Sequence, residues 1–324
     1  MTLAPDRSAT TELTVTPVAG HIGADVDGVD LAGPLDPTTV ELVTEALHRH
    51  KVLFFAGQEL DHAAQIRFGR TFGELTYAHP HDEAPPEDHP EIFTVDPERY
   101  RQRYDGNGHQ KRKKYSYVAG WHTDVTAAVN PPAVSVLRAD VVPEFGGDTT
   151  WTNLVAAYQG LSEPVRAFVD GLRAEHRYGG SQAPSAAGSD GYAKRVNDNL
   201  LVSTHPVVRV HPVTGERALF VNPGFTSHIV DVSARESAAI LDLLHHEITR
   251  PEYTVRYRWR PGGVAVWDNR ATAHLAPADL DHLDVRRTLH RVTVIGDRPV
   301  GPDGFTSEIV AGRPFTADHA VVVD

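Results

Sequence analysis

Apolar residues along this chain come in short runs that mostly alternate with polar ones, punctuated by Gly and Pro. On this pattern residues 13–15, 26–29 and 52–55 read as short strands,. Between the last two, Asp36 and Pro37 supply an N-cap followed by proline at the first helical position, and Val40, Val43 and Leu47 recur at helical spacing as a buried face,. A second helix is predicted from near Asp61, with Ala64, Phe68 and Phe72 at helical spacing. Residues 92–95, 133–142 and 149–152 read as strands, the last two flanking the Gly146-Gly147 turn. Ser162-Glu-Pro164 opens a helix expected to be buried through Val165, Phe168, Val169 and Leu172. Residues 206–210 and 218–221 bracket His211-Pro-Val-Thr-Gly215 as a hairpin would,. Ser233-Ala-Arg-Glu236 is a capping-box pattern, and Ile240, Leu244 and Ile248 continue its helix,. Tyr253, Val255, Tyr257 and Trp259 alternate up to the Pro261-Gly-Gly263 turn, and strands at 264–267 and 287–294 follow. Many strands, few helices and Gly/Pro turns predict a mainly β fold, a sandwich or jelly roll with peripheral helices.

Three stretches carry no such pattern. Residues 1–12 read as a disordered arm, and the Gly/Ser/Ala-rich residues 179–199 as a mobile segment. Residues 79–117 form a long excursion, first acidic and proline-rich, then basic around Lys111-Arg-Lys-Lys114 with Tyr100, Tyr104, Tyr115 and Tyr117. Loops of this length in compact domains are lids or linkers. Because this one runs into His122, it is expected to be an active-site lid. With no repeat and no composition break, residues 13–300 are expected to form a single domain, and 301–324 a C-terminal extension.

At 324 residues with 40% hydrophobic content, the chain can bury a sizeable core,. Lys and Arg total 31 against 43 Asp and Glu, a net charge of −12 that argues against a nucleic-acid footprint,. No apolar run approaches the ~18 residues of a membrane span, and no secretory signal is visible in the polar N-terminus. A cytoplasmic protein is expected. There is no cysteine, so any bound metal must use His, Asp and Glu.

That restriction gives weight to Trp121-His-Thr-Asp124. His122 and Asp124 are two apart, so on an extended strand both side chains leave from one face. His274, just after the apolar run 264–267 and an Asp268-Asn269-Arg270 turn, can complete three ligands. Two imidazoles and one carboxylate on one face of a metal form the facial triad of non-haem Fe(II) oxygenases, which leaves positions open. A chain with 19 His produces a His-x-Asp by chance, so a hydrogen-bonded pair at a strand edge is the bland alternative. Downstream, Arg287 and Arg291 lie four apart on one strand face, their Cα atoms ~13 Å apart at strand rise,. Their planar forks suit two anions in one cavity, although a solvated strand face would look the same. His79, His81 and His89 with their acidic neighbours read as a solvated loop rather than a second metal patch. Trp121, Trp259 and Trp267 read as core, His205 and His211 as structural, and Glu236 as a cap.

Further motifs stand beside the triad: His21-Ile-Gly-Ala-Asp-Val-Asp-Gly28, Gly146-Gly-Asp-Thr149, His205-Pro-Val-Val-Arg-Val-His-Pro212, Phe220-Val-Asn-Pro-Gly-Phe-Thr226, Trp267-Asp-Asn-Arg270 and Arg286-Arg-Thr-Leu-His-Arg291. In this order, over about residues 14–300, the chain resembles the taurine dioxygenase (TauD/TfdA) family of Fe(II)- and 2-oxoglutarate-dependent oxygenases. The resemblance implies a double-stranded β-helix (jelly-roll) core. It implies Fe(II) on His122, Asp124 and His274, with 2-oxoglutarate and O₂ as cosubstrates. It gives Arg287 the distal carboxylate of 2-oxoglutarate, supported by Thr149, and gives Arg291 the anionic head of a small organic substrate, helped by His79 and the Val125 N–H. The expected reaction is hydroxylation coupled to formation of succinate and CO₂. A sulfonate or alkyl sulfate would yield an aldehyde with sulfite or sulfate.

Departures bear on the substrate. Where taurine-specific members hold the amine, this chain carries Val118 and Asp82, and Gln182 stands where an aromatic residue is expected. The anion grip is thus retained without the amine grip, and taurine is not favoured. An aryloxy or other carboxylate is the alternative oxygenase substrate. A zinc hydrolase on the same triad is an alternative of another class, and an inert binding protein a third. Family behaviour implies a homodimer or homotetramer.

Overall fold

The computed structural model describes residues 13–80, 85–96, 118, 120–178, 196, 198–277, 279–280 and 282–316. The expected arm at 1–12, residues 81–84 and 97–117 of the expected lid, and residues 179–195 with Gln182 lie outside the described residues.

The first half of the chain supplies β1 (Thr14–Pro17), β2 (Ala24–Asp27), α1 (Pro37–His50), β3 (Val52–Phe55), α2 (His62–Gly69), β4 (Phe93–Val95), β5 (Val134–Val141), β6 (Thr149–Asn153), α3 (Leu154–Gly160) and α4 (Glu163–Val169). The second half supplies β7 (Arg173–Arg177), β8 (Val202–Pro206), β9 (Val208–Val210), β10 (Arg217–Leu219), β11 (Thr226–Ile229), α5 (Ala234–Ile248), β12 (Thr254–Tyr257), β13 (Val264–Asp268), β14 (Thr272–Leu275), β15 (Thr288–Thr293) and β16 (Glu308–Ala311). They build a jelly-roll core. Its larger sheet has seven strands in the order β1-β2-β3-β13-β5-β15-β4, antiparallel except where β2 meets β3. The other strands form β12-β6-β14, β11-β7-β8-β16 and the hairpin β9-β10.

Period-two alternation explains how the layers stack. On β3 and β13, Leu53, Phe55, Val264 and Val266 point to one side and pack with Val43 and Leu47 of α1 and Ala64 and Phe68 of α2. Val52, Phe54, Ala265 and Trp267 point to the other side and meet Trp151 of β6 and Val255 of β12. The outer layer of the smaller sheets is closed by Leu154 to Tyr158 on α3 and by Leu241, Leu244 and Ile248 on α5. Each fully buried Leu or Phe contributes roughly 1.5–3 kcal/mol. The caps form as their chemistry requires: Asp36 accepts from Thr39 N at 3.1 Å, and Ser233 and Glu236 complete both halves of a capping box,.

Several sequence expectations are corrected. Val40 is half-buried, and Phe72 lies in a separate 3-10 turn after α2. Phe168 is 53% exposed, not buried; of α4 only Val169 is fully buried. The expected strand at 206–210 is two strands, β8 and β9, broken where Val207 N turns to Leu172 O. Beyond residue 300, β16 pairs with β8, and Asn130 exchanges two hydrogen bonds with the backbone of Phe315. Among the described residues no helix is long and apolar enough to cross a membrane.

Candidate metal centre and its anion pocket

His122 is held by a one-residue antiparallel bridge to His274 on β14, with His122 N to His274 O at 2.9 Å and His274 N to His122 O at 2.7 Å. The extended-strand geometry expected for His122 and Asp124 is therefore corrected: His122 sits in an isolated bridge and Asp124 begins a turn. Convergence comes from the bridge and the turn together. Thr123 ties them down by donating to Thr272 O at 2.7 Å. The two imidazole rings stand 4.2 Å apart, and one ligand atom each from His122, Asp124 and His274 lies within 4.8 Å of the others. Val125, next in the turn, has φ of 45°, a left-handed conformation that costs a β-branched residue on the order of 1–3 kcal/mol,. Its side chain is buried against Ala127, Ala128, Leu201 and Phe225, which hold it there.

The donor set suits a divalent cation. Burial alone would raise the Asp124 carboxyl, but Arg291, the two imidazoles and the Ser135 hydroxyl outweigh it and hold it at about 2. Burial, with the neighbouring His122, pushes His274 well below the usual histidine range. At neutral pH the site thus offers an ionised carboxylate and a neutral imidazole, the forms in which these groups ligate. His122 Nδ1 lies 2.9 Å from Gly120 O; donating there places its proton on Nδ1 and leaves Nε2 with its lone pair,.

The two arginines do not share a strand as expected. Arg287 precedes β15, ahead of a register shift between Thr288 and Leu289, whereas Arg291 lies within it. Arg287 donates from Nε to Gly147 O at 2.8 Å and from Nη2 to Thr149 Oγ1 at 3.5 Å. Thr149 is two residues along β6 from Trp151, the register partner of His274. Arg291 donates from Nη1 to Asp124 Oδ1, and its buried Nε finds no partner among the described residues.

Between the histidines and Arg291 runs a chain of rings the sequence reading did not find. Phe225 lies 6.3 Å from His122 and 5.3 Å from Tyr178. The Tyr178 hydroxyl meets His79 Nε2, His79 stacks on Phe93 at 4.9 Å, and the Arg291 guanidinium sits 5.0 Å over Phe93. Tyr178 ends a stretch too polar to read as strand, and Phe93 carried no signal beyond its place in the expected strand 92–95.

A second cluster, His48, His211 and Asp268, also brings ligand-type atoms within 4.8 Å. Arg270 already fills the cation's place there, with Nη2 2.7 Å from Asp268 Oδ2 and 3.2 Å from His48 Nε2, while His211 Nε2 takes Oδ2 at 2.9 Å. That network braces the turn leading into β14. His205 is likewise structural, bonded to Thr126 O at 2.8 Å and Ser307 Oγ at 2.7 Å.

Comparison with known proteins supplies the family. Residues 14–293 match the family model described as taurine catabolism dioxygenase TauD, TfdA family. The chain is 42% identical to an alpha-ketoglutarate-dependent sulfate ester dioxygenase of Pseudomonas putida, covering 91% of this chain and 94% of that one. It is 34% identical to an alkylsulfatase of Acinetobacter baylyi, with 97% and 94% covered. A crystal structure of a taurine dioxygenase from Burkholderia xenovorans superposes with a TM-score of 0.78 at 46% identity, covering 93% of this chain and 97% of that one. A match over this span, on a jelly roll whose imidazoles and carboxylate converge, means that the chain belongs to the TauD/TfdA family and is an enzyme of the dioxygenase type.

Proposed function

We propose that this protein is an Fe(II)- and 2-oxoglutarate-dependent dioxygenase that hydroxylates a small organic sulfate ester or sulfonate. The observation that carries the reading is the continuous line of ring contacts from His122 through Phe225, Tyr178, His79 and Phe93 to Arg291. It puts an aromatic wall beside the metal ligands, ending on a cation that also bonds to Asp124. The sulfate ester and alkylsulfatase relatives support the same substrate class.

His122, Asp124 and His274 would hold Fe(II), which when bound supplies O₂ activation coupled to conversion of 2-oxoglutarate into succinate and CO₂. Arg287, aligned by Gly147 O and Thr149, is assigned the distal carboxylate of 2-oxoglutarate through its planar fork,. Arg291 is assigned the sulfate or sulfonate head; its unpartnered Nε is a donor ready for an anion, and a charge-assisted bond there is worth about 1.5–3 kcal/mol,. His79, oriented by Tyr178 and Phe93, and the Val125 N–H are assigned to the same anion. The aromatic wall places the substrate carbon next to the anion and excludes water from it. Hydroxylation at the carbon bearing the ester oxygen gives a hemiacetal-type sulfate. Its hydroxyl loses a proton as the C–O bond to sulfate breaks, leaving aldehyde and sulfate. Residues 13–300 are taken as one catalytic domain, with residues 79–117 as its lid.

Succinate formation with Fe(II), 2-oxoglutarate and a panel of alkyl sulfates, sulfonates and aryloxy acids tests this. Alkyl sulfates or sulfonates should stimulate succinate and release sulfate or sulfite, and Asp124→Ala should abolish both. Stimulation by aryloxy acids alone would overturn the substrate class. Hydrolysis with bound zinc and no succinate would overturn the oxygenase reading.

A further inference from the structure

Asp124 has two carboxylate oxygens, and the fold treats them differently. Oδ1 faces His274, whose Nε2 is 3.8 Å away, and also receives Arg291. Oδ2 accepts from Ser135 Oγ at 2.7 Å. Ser135 lies on β5 and is fully buried, as is Asn269, which follows β13. Asn269 Nδ2 donates to Ser135 Oγ at 2.8 Å, while Asn269 Oδ1 accepts from the indole Nε1 of Trp267 at 2.9 Å.

Each member of this chain has one possible polarity. An indole N–H only donates, so the atom facing it must be the amide oxygen of Asn269. The amide nitrogen therefore faces Ser135 and donates to it. A hydroxyl has one proton; with an incoming donor on its oxygen, Ser135 directs that proton to Asp124 Oδ2. The backbone holds the chain in register: Trp267 pairs with Ser135 across β13 and β5, and Asn269 N donates to Ala133 O at 2.8 Å. No member can turn without leaving a buried polar group unpaired, at a cost of about 1–3 kcal/mol.

We infer that Ser135 and Asn269 are positioning residues that lock Asp124 as a one-oxygen ligand, tying up Oδ2 so that only Oδ1 reaches the metal. The inference rests on the metal centre proposed above and extends it. A carboxylate free to turn its second oxygen to the metal would take a coordination position that 2-oxoglutarate and O₂ need. Partners of this kind, one shell behind the ligands, typically alter metal affinity 10–100-fold when removed.

Mn(II) binding, followed by electron paramagnetic resonance, tests the lock without turnover. The variants are Ser135→Ala, which removes the donor, and Asn269→Asp, which puts a second acceptor in front of Ser135. Both should weaken Mn(II) by about 10- to 100-fold at a temperature where each variant is still folded, although the unpaired buried groups lower the metal-free melting temperature, and Ser135→Thr should restore affinity. The charge-transfer absorption of the Fe(II)–2-oxoglutarate complex should weaken or shift in the same two variants. Should Ser135→Ala fail to fold, Asn269→Asp decides alone. Parental Mn(II) affinity and an unshifted absorption in a folded variant would overturn the lock and leave the metal centre standing. A parent protein that binds no Mn(II) would overturn both.

Discussion

Gly147 makes the proposed 2-oxoglutarate grip of Arg287 sensitive to one added atom. Its φ of +68° lies in the left-handed region, and a Cβ there would stand 2.9 Å from Arg287 Cδ, 3.0 Å from Arg287 Nε and 2.8 Å from Leu280 Cδ1. The Leu280 tip can rotate away. Arg287 can yield only by leaving Gly147 O, the acceptor that aims its guanidinium. Gly147→Ala therefore combines a backbone cost of about 1–2 kcal/mol for a left-handed alanine with displacement of the arginine. Gly215 separates the two effects: its φ is +71°, and nothing lies within 4 Å of the Cβ it would acquire. Losing charge-assisted hydrogen bonds of about 1.5–3 kcal/mol corresponds to roughly 10- to 150-fold in affinity. In urea unfolding Gly215→Ala should show the backbone cost alone, and Gly147→Ala that cost plus the loss of the buried Arg287 hydrogen bond,. Only Gly147→Ala should raise the KM for 2-oxoglutarate by that factor, with the KM for the sulfate or sulfonate little changed. An unchanged KM for 2-oxoglutarate, or an equal rise in both variants, would refute the assignment of Arg287.

Two further outcomes follow from packing and burial. At Gly224 a Cβ would lie 2.8 Å from His122 Cβ and 3.3 Å from Trp121 O; neither atom is the end of a flexible chain, so Gly224→Ala should shift His122 and weaken Mn(II) binding about tenfold or more, which a metal titration reads. His205 is pushed down to about 3, chiefly by burial and with help from Arg209 against the opposing bond to Thr126 O. Unfolded, it titrates near ~6.5, so the unfolded chain binds the extra proton below that pH and stability should fall by about 3 kcal/mol from pH 6.5 to 4. His205→Asn should flatten this slope in urea titrations, leaving the part due to His176, which burial and His205 also push down; an unaltered slope would remove His205 from the account.

Legibility in the sequence depended on how locally each feature is decided. The Asp36 cap, the Ser233 capping box and the apolar run from Val264 to Trp267 depend on neighbours a few residues away, and each appears where the pattern put it. β7 was missed because Arg173–Arg177 is polar by composition; it is buried on one face only because His176 finds Thr126 Oγ1 at 2.9 Å across 50 residues. Phe168 misled in the opposite sense, since apolar character alone does not decide which face of a helix meets the core. In the site, Ser135 and Tyr178 carried no local signal. Their meaning comes from partners 11 and 99 residues away in sequence, Asp124 and His79.

The spacing of His122 and Asp124 shows how a local argument can select residues for an incomplete reason. The side chains do converge, but through a single bridge to His274 and a turn that forces Val125 to φ of 45°. An ordinary strand would have carried the carboxylate onward along the sheet. The turn folds it back toward the bridge, where Ser135 and Asn269 take its second oxygen. This end of the site is held by backbone pairing and by buried donors of one polarity, so it resists change. The other end is made of side chains: Phe225, Tyr178, His79 and Phe93 meet ring to ring, and Arg291 is divided between Asp124 and the anion pocket. Replacing a ring there alters the shape offered to a carbon chain without disturbing a backbone hydrogen bond. On the proposed function, oxidative chemistry and substrate choice are carried by different parts of one site, joined where Arg291 meets Asp124. On that division, variants of the aromatic path should change which sulfate ester or sulfonate is accepted while metal affinity stays constant; variants of Gly224, Ser135 and Asn269 should change metal affinity for every substrate alike.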